Sequence, residues 1–432
     1  MYWQEELETL ERRPLEALQL ERLGKTVNLA LRSPHYKEMP KLTQCLRGGL
    51  RSVAQIADLP LTTKEDLRQG FPWAMLATDR SEVVRLHSSS GTTGNPTVIY
   101  HDRHDLASWA NLVARSLFAV GVSATDVFQN ICGYGLFTGG LGFQYGAEKL
   151  GCLSIPAGAG NSPRQIKLMR DFGTTVAHAI PSYLGRLYDI FKEEGLDPRA
   201  DTCLRTLVIG AEPHSEEQRR RIEEMFGVKA YNSFGLSEMN GPGVAFECAQ
   251  QDGLHVWEDA YLVEILDPLT LQPVAEGEVG ELVMTTLDRQ AMPLLRYRTR
   301  DLTRFLPGPC ACGRSHRRLD RIAGRSDDMF IVKGCNIFPM QIESLLMQLP
   351  EVGDDYRISL ETIRDQDEMI VEVEVKKACF DGDQAFLDRL QRHITHLIRD
   401  EVLLRPLVRL VPPGALPRSE GKAIRVVDKR RK

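Results

Sequence analysis

The sequence predicts an α/β fold with a large multi-layer N-terminal domain and a smaller α+β C-terminal domain. Between about residues 82 and 300, short apolar runs that favour strands alternate with stretches of helical periodicity. Such alternation is typical of layered folds in which most strands are parallel. After residue 328 the pattern starts again with a strand, a turn and a helix, which indicates a second domain. We therefore predict domains over residues 1–324 and 325–432.

The composition is that of an ordinary globular protein of 432 residues, with 42% hydrophobic and 26% charged residues. Its 54 basic and 59 acidic residues give a net charge of −5, which argues against a role in coating nucleic acid or anionic membranes. The apolar runs are too short for a membrane-spanning helix, and residues 1–13 are too acidic for a signal peptide. Nine cysteines, an odd number, do not suggest a secreted disulfide framework, so we expect a cytoplasmic protein.

The individual elements follow from periodicity and capping signals. Leucines at roughly helical spacing predict amphipathic helix over residues 1–50, and segment 62–67 predicts a helix start capped by threonine. In the large domain we predict strands over 97–100, 206–209 and 282–285, helices over 105–120 and 163–172, and a strand-rich region over 253–306. In the small domain we predict strands over 329–332 and 368–376 and helices over 339–349 and 386–401.

A run of hydroxyl residues and glycines lies between two predicted strands, 83–87 and 97–100. It consists of Ser88, Ser89, Ser90, Gly91, Thr92, Thr93 and Gly94. Glycines allow backbone N–H groups to turn inward around an anion, and hydroxyls donate further hydrogen bonds. The run lacks the Gly-Lys-[Ser/Thr] ending of a Walker A loop, and taken alone it fits a polar surface hairpin equally well.

Six segments, in the same order along the chain, resemble the motifs of the adenylate-forming superfamily of acyl-CoA synthetases. They are the run 88–97, the aromatic-Gly-x-Ser-Glu segment 232–238, the Gly-Glu-Leu strand 280–282, the Arg-Tyr-Arg-Thr-x-Asp segment 296–301, the segment 324–328 and the segment 417–422. Three further stretches resemble the phenylacetate–CoA ligase branch of that superfamily: 134–140, 210–213 and 329–339. The resemblance covers nearly the whole chain.

The resemblance implies an ATP-dependent aryl-acid–CoA ligase that acts on phenylacetate or a close analogue. In this reaction a carboxylate attacks the α-phosphorus of ATP to give an acyl-adenylate, and the thiol of CoA then displaces AMP. Phosphoryl chemistry of this kind requires positioning and charge neutralisation rather than a protein nucleophile. Two alternatives stay open. One is an adenylate-forming synthetase of the same family with a non-CoA acceptor or a deazaflavin-type substrate. The other is a nucleotide-binding protein that has lost turnover.

The same resemblance assigns nucleotide-binding roles to residues spread along the chain. The loop 88–94 would hold the β- and γ-phosphates. The other assigned residues are Gly210, Ala211, Glu212, Pro213, Asn232, Ser233, Phe234, Gly235, Ser237, Asp301 and Arg321. Among them Asp301 would accept hydrogen bonds from both ribose hydroxyls, with a salt bridge to Arg298 or Arg300 as the alternative.

Lys422 and Glu238 receive catalytic roles by resemblance. The Lys422 ammonium would lie where negative charge develops on the α-phosphate, although by itself it is one cation of a basic tail. The Glu238 carboxylate would bind Mg²⁺, which prefers hard oxygen ligands. Arg325 and Asp327 would form the hinge about which a mobile small domain rotates between the two half-reactions.

A stretch rich in glycine and aromatic residues is assigned to the acyl pocket. Its members are Tyr134, Phe137, Gly139 and Gly140, where small residues beside aromatic walls would fit a flat aryl group. The alternative is that the aromatic residues belong to the core. The partners implied are therefore an aryl carboxylic acid, ATP and CoA, and a homodimer is a further open prediction.

Four residues suggest a metal site next to the nucleotide motifs. Cys310 and Cys312 are separated by one residue and followed by glycine, a spacing with which two thiolates can bind one soft metal ion. Cys248 and His255 would complete a tetrahedral set, with His316 as a substitute ligand. Because four protein ligands leave no open position, the ion would be a structural Zn²⁺. The alternative is that the four residues are unrelated.

Overall fold

The computed structural model describes residues 1–40, 42–43, 49–89, 95–333, 335–363, 366–380, 383–417 and 425–430. The chain forms two compact units. Unit one comprises Met1–His178, Cys203–Ala211 and Tyr231–Ile322, and unit two comprises Ala179–Thr202, Glu212–Ala230 and Ala323–Lys432. The predicted division after residue 324 lies close to the start of the last segment, whereas the two internal segments of unit two fall inside the predicted N-terminal domain.

The α-helices are α1 (Glu5–Glu8), α2 (Arg12–Ala30), α3 (Pro34–Lys37), α4 (Lys64–Gln69), α5 (Arg103–Ala119), α6 (Thr138–Leu150), α7 (Ser162–Asp171), α8 (Pro181–Glu193), α9 (Pro198–Asp201), α10 (Glu216–Phe226), α11 (Pro339–Met347) and α12 (Gln384–Val402). Turns of 3₁₀ helix cover Val53–Asp58, Arg80–Glu82, Ser237–Met239 and Lys377–Cys379. None of these helices is long and apolar enough to cross a membrane, among the residues described.

The strands are β1 (Arg85–Ser89), β2 (Thr97–His101), β3 (Val127–Asn130), β4 (Leu153–Ile155), β5 (Val176–Ala179), β6 (Thr206–Gly210), β7 (Lys229–Phe234), β8 (Ala245–Glu247), β9 (Leu254–Val256), β10 (Tyr261–Leu266), β11 (Gly280–Thr286), β12 (Tyr297–Thr303), β13 (Phe305–Leu306), β14 (Arg318–Leu319), β15 (Gly324–Arg325), β16 (Phe330–Val332), β17 (Cys335–Ile337), β18 (Val352–Ile363), β19 (Gln366–Val375), β20 (Leu407–Val411) and β21 (Val426–Asp428).

Local signals placed several of the elements, with a correction at the N-terminus. The predicted helix over residues 1–50 is divided into α1, α2 and α3, and α3 restarts at Pro34 with the Ser33 hydroxyl accepting from the backbone N–H of Tyr36. The predicted threonine cap is confirmed, because Thr63 Oγ1 accepts from the backbone N–H of Asp66 at 3.3 Å. Proline is favourable at the first helical position because the N–H that it lacks would have no partner inside the helix, and a threonine N-cap is favourable because its hydroxyl accepts from a free backbone N–H of the first turn.

The main sheet of unit one contains both strand orientations. Its order is β13-β14-β9-β8-β7-β6-β5-β3-β4, and β3 is parallel to both β4 and β5. At the other end, β8 pairs antiparallel with β7 and β9, and β14 pairs antiparallel with β9 and β13. The strand-rich region 253–306 contributes β10, β11 and β12, which pair antiparallel in a second sheet. In this sheet the β5-β3-β4 end is therefore parallel and the end from β7 to β13 is antiparallel, within a mixed α/β fold.

Helices α5 and α6 pack closely because α6 carries glycines on the face towards α5. A Cβ atom added to Gly142 would lie 2.5 Å from Cζ2 of the buried Trp109, and one added to Gly146 would lie 2.3 Å from Cγ1 of Val113. Contacts that short are repulsive, so larger residues here would separate the helices. Helix α6 was missed in the sequence because its glycines weaken the helical pattern.

Unit two contains a four-stranded sheet of order β20-β19-β18-β21 with its own apolar core. Strands β18 and β19 are antiparallel, whereas β21 and β20 add in parallel at the two edges. In the same unit, Arg221 of α10 donates to the carbonyl oxygens of Leu349 (2.6 Å) and Val352 (3.1 Å). Segment 212–230 is thereby joined to the C-terminal part of the chain by hydrogen bonds from one side chain to backbone carbonyls, which no sequence motif indicates.

Candidate nucleotide site and cysteine–histidine cluster

The predicted phosphate loop joins the antiparallel strands β1 and β2, which pair from Arg85 opposite His101 to Ser89 opposite Thr97. Both predicted flanking strands are present. The backbone N–H of Ser88 donates to the carbonyl oxygen of Leu136 at 3.0 Å, which ties the beginning of the loop to the segment before α6. The rest of the loop (Ser90, Gly91, Thr92, Thr93 and Gly94) and the predicted catalytic Lys422 lie outside the described residues.

Strand β7 is followed by a tight loop that carries Glu238 on the 3₁₀ turn Ser237–Met239. The two arms of this loop are in backbone contact. A Cβ atom on Gly235 would lie 2.8 Å from Cα of Gly241, and a Cβ atom on Gly241 would lie 2.3 Å from the backbone nitrogen of Leu236. Glycine is therefore required on both arms. The sequence motif contains Gly235 but gave no indication of Gly241.

Three buried side chains from other segments hold the turn. Tyr297 donates its hydroxyl to Oε1 of Glu238 at 3.1 Å, and Arg289 Nη1 donates to the Glu238 carbonyl oxygen at 2.5 Å. Tyr261 donates to the carbonyl oxygen of Met239 at 2.6 Å. Glu238 is only 6% exposed, and complete burial lowers the pKa of Arg289. Sequence reasoning missed all three supports, although Tyr297 lies inside a recognised motif.

Several predicted nucleotide-binding residues of unit one lie at the ends of β6 and β7. A Cβ atom on Gly210 would lie 2.2 Å from the carbonyl oxygen of Ser233, so glycine here serves the contact between neighbouring strands. Ala211 follows with φ of 68°, a conformation that is uncommon for residues other than glycine. The backbone N–H of Asn232 donates to Oε2 of the buried Glu247 at 2.7 Å. These contacts fix the backbone at the strand ends, while the nucleotide role of the residues stays a prediction.

Two other residues predicted to contact nucleotide make contacts inside their own units. In unit one, Arg321 Nη2 lies 3.7 Å from Oε1 of Glu247. In unit two, Glu212 accepts from both the backbone N–H (2.6 Å) and the hydroxyl (3.1 Å) of Ser182. The Glu212 carboxylate thus satisfies a donor in the first turn of α8, where negative charge is favoured.

The arginines of segment 296–301 bind an acid from another predicted motif. Arg298 makes a two-point contact with Glu281, at 2.9 and 2.8 Å, and Arg300 Nη1 lies 3.6 Å from the same carboxylate. Glu281 belongs to the Gly-Glu-Leu strand, so these two motifs are joined by a buried ion pair. Asp301 is 8% exposed on β12. The ribose contact of Asp301 and the alternative salt bridge to these arginines both stay predictions.

The two predicted hinge residues are paired with each other in unit two. Arg325 donates to the carboxylate of Asp327 through Nε at 2.9 Å and through Nη2 at 3.0 Å. Asp328 lies within 3.8 Å of the same guanidinium, and burial raises its pKa. The Asp327 side chain is half exposed, so this ion pair contributes little to stability. Motion about this point remains a prediction.

The four residues predicted to line the acyl pocket lie just before or at the start of α6. A Cβ atom on Gly139 would lie 2.4 Å from the ring of Phe137, and one on Gly140 would lie 2.6 Å from a backbone carbonyl oxygen. Asn130 donates to the hydroxyl of Tyr134 (3.2 Å) and to the carbonyl oxygen of Gly140 (2.6 Å), and burial raises the pKa of Tyr134 to about 12. Phe137 is 37% exposed, so it is not a core residue.

The predicted metal ligands come together in unit one. One donor atom from each of Cys248, His255, Cys310 and Cys312 lies within 4.8 Å of all the others. The Sγ atoms of Cys248 and Cys310 are 3.7 Å apart, and Sγ of Cys312 lies 3.3 Å from Nε2 of His255. Hydrogen bonding to His255 lowers the pKa of Cys310, and hydrogen bonding to Cys248 and His255 lowers that of Cys312. The set has the donor chemistry of a closed Cys₃His centre.

Sheet order explains how residues so far apart in sequence meet. Cys248 follows β8, His255 lies on the adjacent β9, and β9 pairs with β14 so that His255 faces Arg318. The Nδ1 atom of His255 hydrogen-bonds the His316 carbonyl oxygen at 3.2 Å, which leaves Nε2 to face the sulfur atoms. The substitute ligand is a wrong prediction, because Nε2 of His316 contacts the carbonyl oxygen of Leu7 at 3.0 Å and His316 is outside the cluster.

The N-terminal segment holds the loop that carries the two close cysteines. The Tyr2 hydroxyl donates to the carbonyl oxygen of Cys312 at 3.1 Å. Arg314 Nε donates to the buried carboxylate of Glu8 at 2.7 Å, and the same carboxylate accepts from the backbone N–H of Trp3 at 2.7 Å. Because Glu8 and Arg314 are both buried, each depends on the other for neutralisation.

Comparisons with known proteins identify the class. A profile described as AMP-binding enzyme matches residues 37–287, and a profile described as AMP-binding enzyme C-terminal domain matches residues 334–430. The chain is 43% identical to the phenylacetate-coenzyme A ligase of Thermus thermophilus, over 100% of both chains. It is 42% identical to the ligase of the same name from Pseudomonas putida, over 98% of this chain and 97% of the relative.

The fold is also similar to a solved structure. The crystal structure of 2-hydroxyisobutyryl-CoA ligase in the postadenylation state, in complex with 2-HIB-AMP, matches with a TM-score of 0.92 and 29% identity. The match covers 99% of this chain and 92% of that chain. The protein is therefore a member of the AMP-binding enzyme family, with the adenylate-forming fold. Within it, the chain belongs to the phenylacetate–CoA ligase family, as the resemblance of its motifs predicted.

Proposed function

We propose that this protein is an ATP-dependent aryl-acid–CoA ligase that acts on phenylacetate or a close analogue. It joins the acid to CoA through an acyl-adenylate and releases AMP and diphosphate. The observation that carries the proposal is the buried Glu238 carboxylate, held in one orientation on a tight loop at the end of β7. Support comes from full-length relatives that are named phenylacetate-coenzyme A ligase.

In the adenylation step, this chain's residues bind and orient the reactants. The hydroxyls and backbone N–H groups of loop 88–94 hold the β- and γ-phosphates, and Asp301 accepts from the ribose hydroxyls. The Lys422 ammonium stabilises the charge that develops while the acid oxygen bonds to the α-phosphorus and diphosphate departs. The CoA sulfur then bonds to the acyl carbon, its proton is lost, and AMP departs.

The Glu238 turn fits a Mg²⁺ ion that accompanies the nucleotide. One carboxylate together with substrate phosphates is a common environment for Mg²⁺. The Glu238 carboxylate is buried and positioned by a hydroxyl donor, as the oxygen ligand of a hard cation should be. Bound there, Mg²⁺ would neutralise part of the phosphate charge.

The aryl preference rests on the segment before α6. Asn130 holds the hydroxyl of Tyr134, and the neighbouring Leu136 and Phe137 are exposed apolar side chains at 59% and 37%. Exposed apolar groups beside a fixed aromatic ring favour contact with an apolar acid. A small hydroxy acid, the substrate type of the structural relative, would use this surface less fully.

The test is diphosphate release from ATP, measured with phenylacetate, benzoate, acetate or 2-hydroxyisobutyrate, each with and without CoA. We expect multiple turnovers with phenylacetate and CoA, and about one equivalent without CoA because the acyl-adenylate is retained. Turnover that does not require CoA would favour the synthetase with another acceptor. No release with any aryl acid would contradict the proposed substrate class.

We further propose that Cys248, His255, Cys310 and Cys312 bind one structural Zn²⁺. Their donor atoms form a compact and chemically suitable set, and His255 is oriented by a carbonyl acceptor. Protein purified without added metal should contain one equivalent of zinc by plasma emission spectroscopy. Release of the ion should follow titration of the cysteines with a mercurial reagent. Metal-free protein that takes up no zinc would contradict this assignment.

A further inference from the structure

The carboxylate proposed to bind Mg²⁺ receives a hydrogen bond from a buried hydroxyl. Tyr297 is 2% exposed, and its hydroxyl lies 3.1 Å from Oε1 of Glu238. Glu238 and Tyr297 belong to different motifs, so the sequence does not indicate that they touch. The contact therefore joins the loop after β7 to strand β12 at the carboxylate itself.

Tyr297 is the first residue of β12, and the residues on both sides of it in the chain are anchored by ion pairs. Arg296 makes a two-point contact with Glu264, at 2.9 and 2.8 Å. On the other side of Tyr297, Arg298 makes the two-point contact with Glu281 described above. Two-point arginine–carboxylate contacts fix direction as well as distance, so the Tyr297 ring leaves the strand at a set position.

A third residue anchors the backbone on each side of the tyrosine. The backbone N–H of Thr62 donates to the carbonyl oxygen of Arg296 at 3.0 Å, and the N–H of Arg298 donates to the carbonyl oxygen of Thr62 at 2.9 Å. The Thr62 hydroxyl donates in turn to the carbonyl oxygen of Leu295 at 2.6 Å. Tyr297 therefore lies on a strand whose side chains and backbone are both held.

We infer that Tyr297 is a positioning residue for the Glu238 carboxylate and thereby for binding of the nucleotide with its divalent cation. The inference rests on the proposed function, since it assumes that Glu238 is the Mg²⁺ ligand. A carboxylate turns easily about its last torsion angle. The hydroxyl of Tyr297 holds Oε1, and so fixes the direction in which the second oxygen is presented. Arg289 fixes the backbone of the same residue, so Glu238 is held at both ends.

The test compares Tyr297→Phe with Tyr261→Phe. Both changes remove one buried hydroxyl from the surroundings of the same turn, but Tyr261 donates to the Met239 carbonyl oxygen and does not touch the carboxylate. Calorimetry would give the Kd of ATP with excess Mg²⁺ and the Kd of ATP with EDTA, and thermal unfolding would give the cost to stability. We expect Tyr297→Phe to weaken Mg²⁺–ATP binding about tenfold and to leave metal-free ATP binding unchanged. Tyr261→Phe should lower the Tm by about as much as Tyr297→Phe does, and should change neither Kd.

Three results would overturn the inference in distinguishable ways. Equal weakening of Mg²⁺–ATP by both variants would show that rigidity of the turn, rather than orientation of the carboxylate, is what matters. An unchanged Kd in Tyr297→Phe, with a wild-type protein that prefers Mg²⁺–ATP over free ATP, would remove the role of Tyr297 alone. A wild-type protein that binds ATP equally well with Mg²⁺ and with EDTA would remove the metal role of Glu238 and the inference together.

Discussion

The cysteine–histidine cluster and the Glu238 turn lie in the same unit but differ in how many candidate ligands each contains. In the cluster, four donor groups lie within 4.8 Å of one another, so the protein alone would supply every ligand of the proposed ion. At the turn, a single carboxylate is held by residues that are not ligands themselves, Tyr297 and Arg289. A closed set suits a permanent ion, whereas one supported carboxylate leaves the other positions to phosphate oxygens and water. If both ions bind as proposed, the cluster would stabilise the fold and the turn would bind an ion that exchanges with the nucleotide.

The two sites also differ in the parts of the chain that hold them in place. The cysteine loop is held by the first residues of the chain, through Tyr2 and Glu8. The Glu238 turn is held from β10, from β12 and from the segment that follows β11. Loss of the cluster should therefore loosen a long-range connection in the fold, whereas loss of the Glu238 charge should alter binding with little change in the fold.

The largest expected effect is on catalysis, from Glu238→Gln. The amide has nearly the same shape but no charge, so it binds Mg²⁺ poorly while it still accepts from Tyr297. We expect acyl-adenylate formation to fall by about 100-fold or more, with the Tm changed by no more than about 2 °C. Isotope exchange between diphosphate and ATP measures the step directly. The control is Glu276→Gln, the same change at an exposed residue, and an active Glu238→Gln enzyme would contradict the separation of the two sites.

The second effect is on stability, from Cys310→Ser. The hydroxyl is a weaker zinc ligand than the thiolate, so bound metal should be lost and the Tm should fall by several degrees. Metal content and calorimetric unfolding check both outcomes on one sample. Cys203→Ser makes the same substitution at an exposed cysteine and should change neither. If the two variants unfold alike and keep the same metal content, the cluster is not a structural centre.

The smallest expected effect is a pH dependence of the free energy of unfolding that arises from Glu258. Burial raises the pKa of Glu258, but hydrogen bonding from Arg12 and the charges of Arg317 and Arg12 outweigh it and lower the pKa to about 2 from 4.5. Because the folded-state pKa is the lower one, this contribution is complete above about pH 4.5 and is lost as the pH falls towards 2.

Urea unfolding of metal-free protein from pH 7 to pH 3 measures this contribution without interference from zinc release. Wild-type protein should lose stability on acidification more steeply than Glu258→Gln, because the amide has no proton to bind. Glu276→Gln again serves as the control, since its carboxylate is exposed. Parallel curves for wild type and Glu258→Gln would show that Glu258 contributes no pH dependence.

The sequence by itself determined the family and those elements that carry clear local signals. Capping by Thr63, the hydroxyl-rich run between two strands and six ordered motifs depend on local chemistry and short spacings, which a linear pattern records. It also selected the four members of the cysteine cluster, because soft ligands are few and conspicuous in a chain of this composition. The cytoplasmic location, the homodimer and the movement at Arg325 stay predictions.

Only the tertiary structure decided which residues support those motifs. Nothing in the spacing indicates that Tyr297 holds Glu238, that Arg298 binds Glu281, or that Gly241 must be as small as Gly235. The structure also removed His316 from the metal ligands by directing its ring to the N-terminal segment. The physical reason is that a ligand can be recognised by its own chemistry, whereas a supporting contact depends on distances between segments that only the packing of sheets and loops sets.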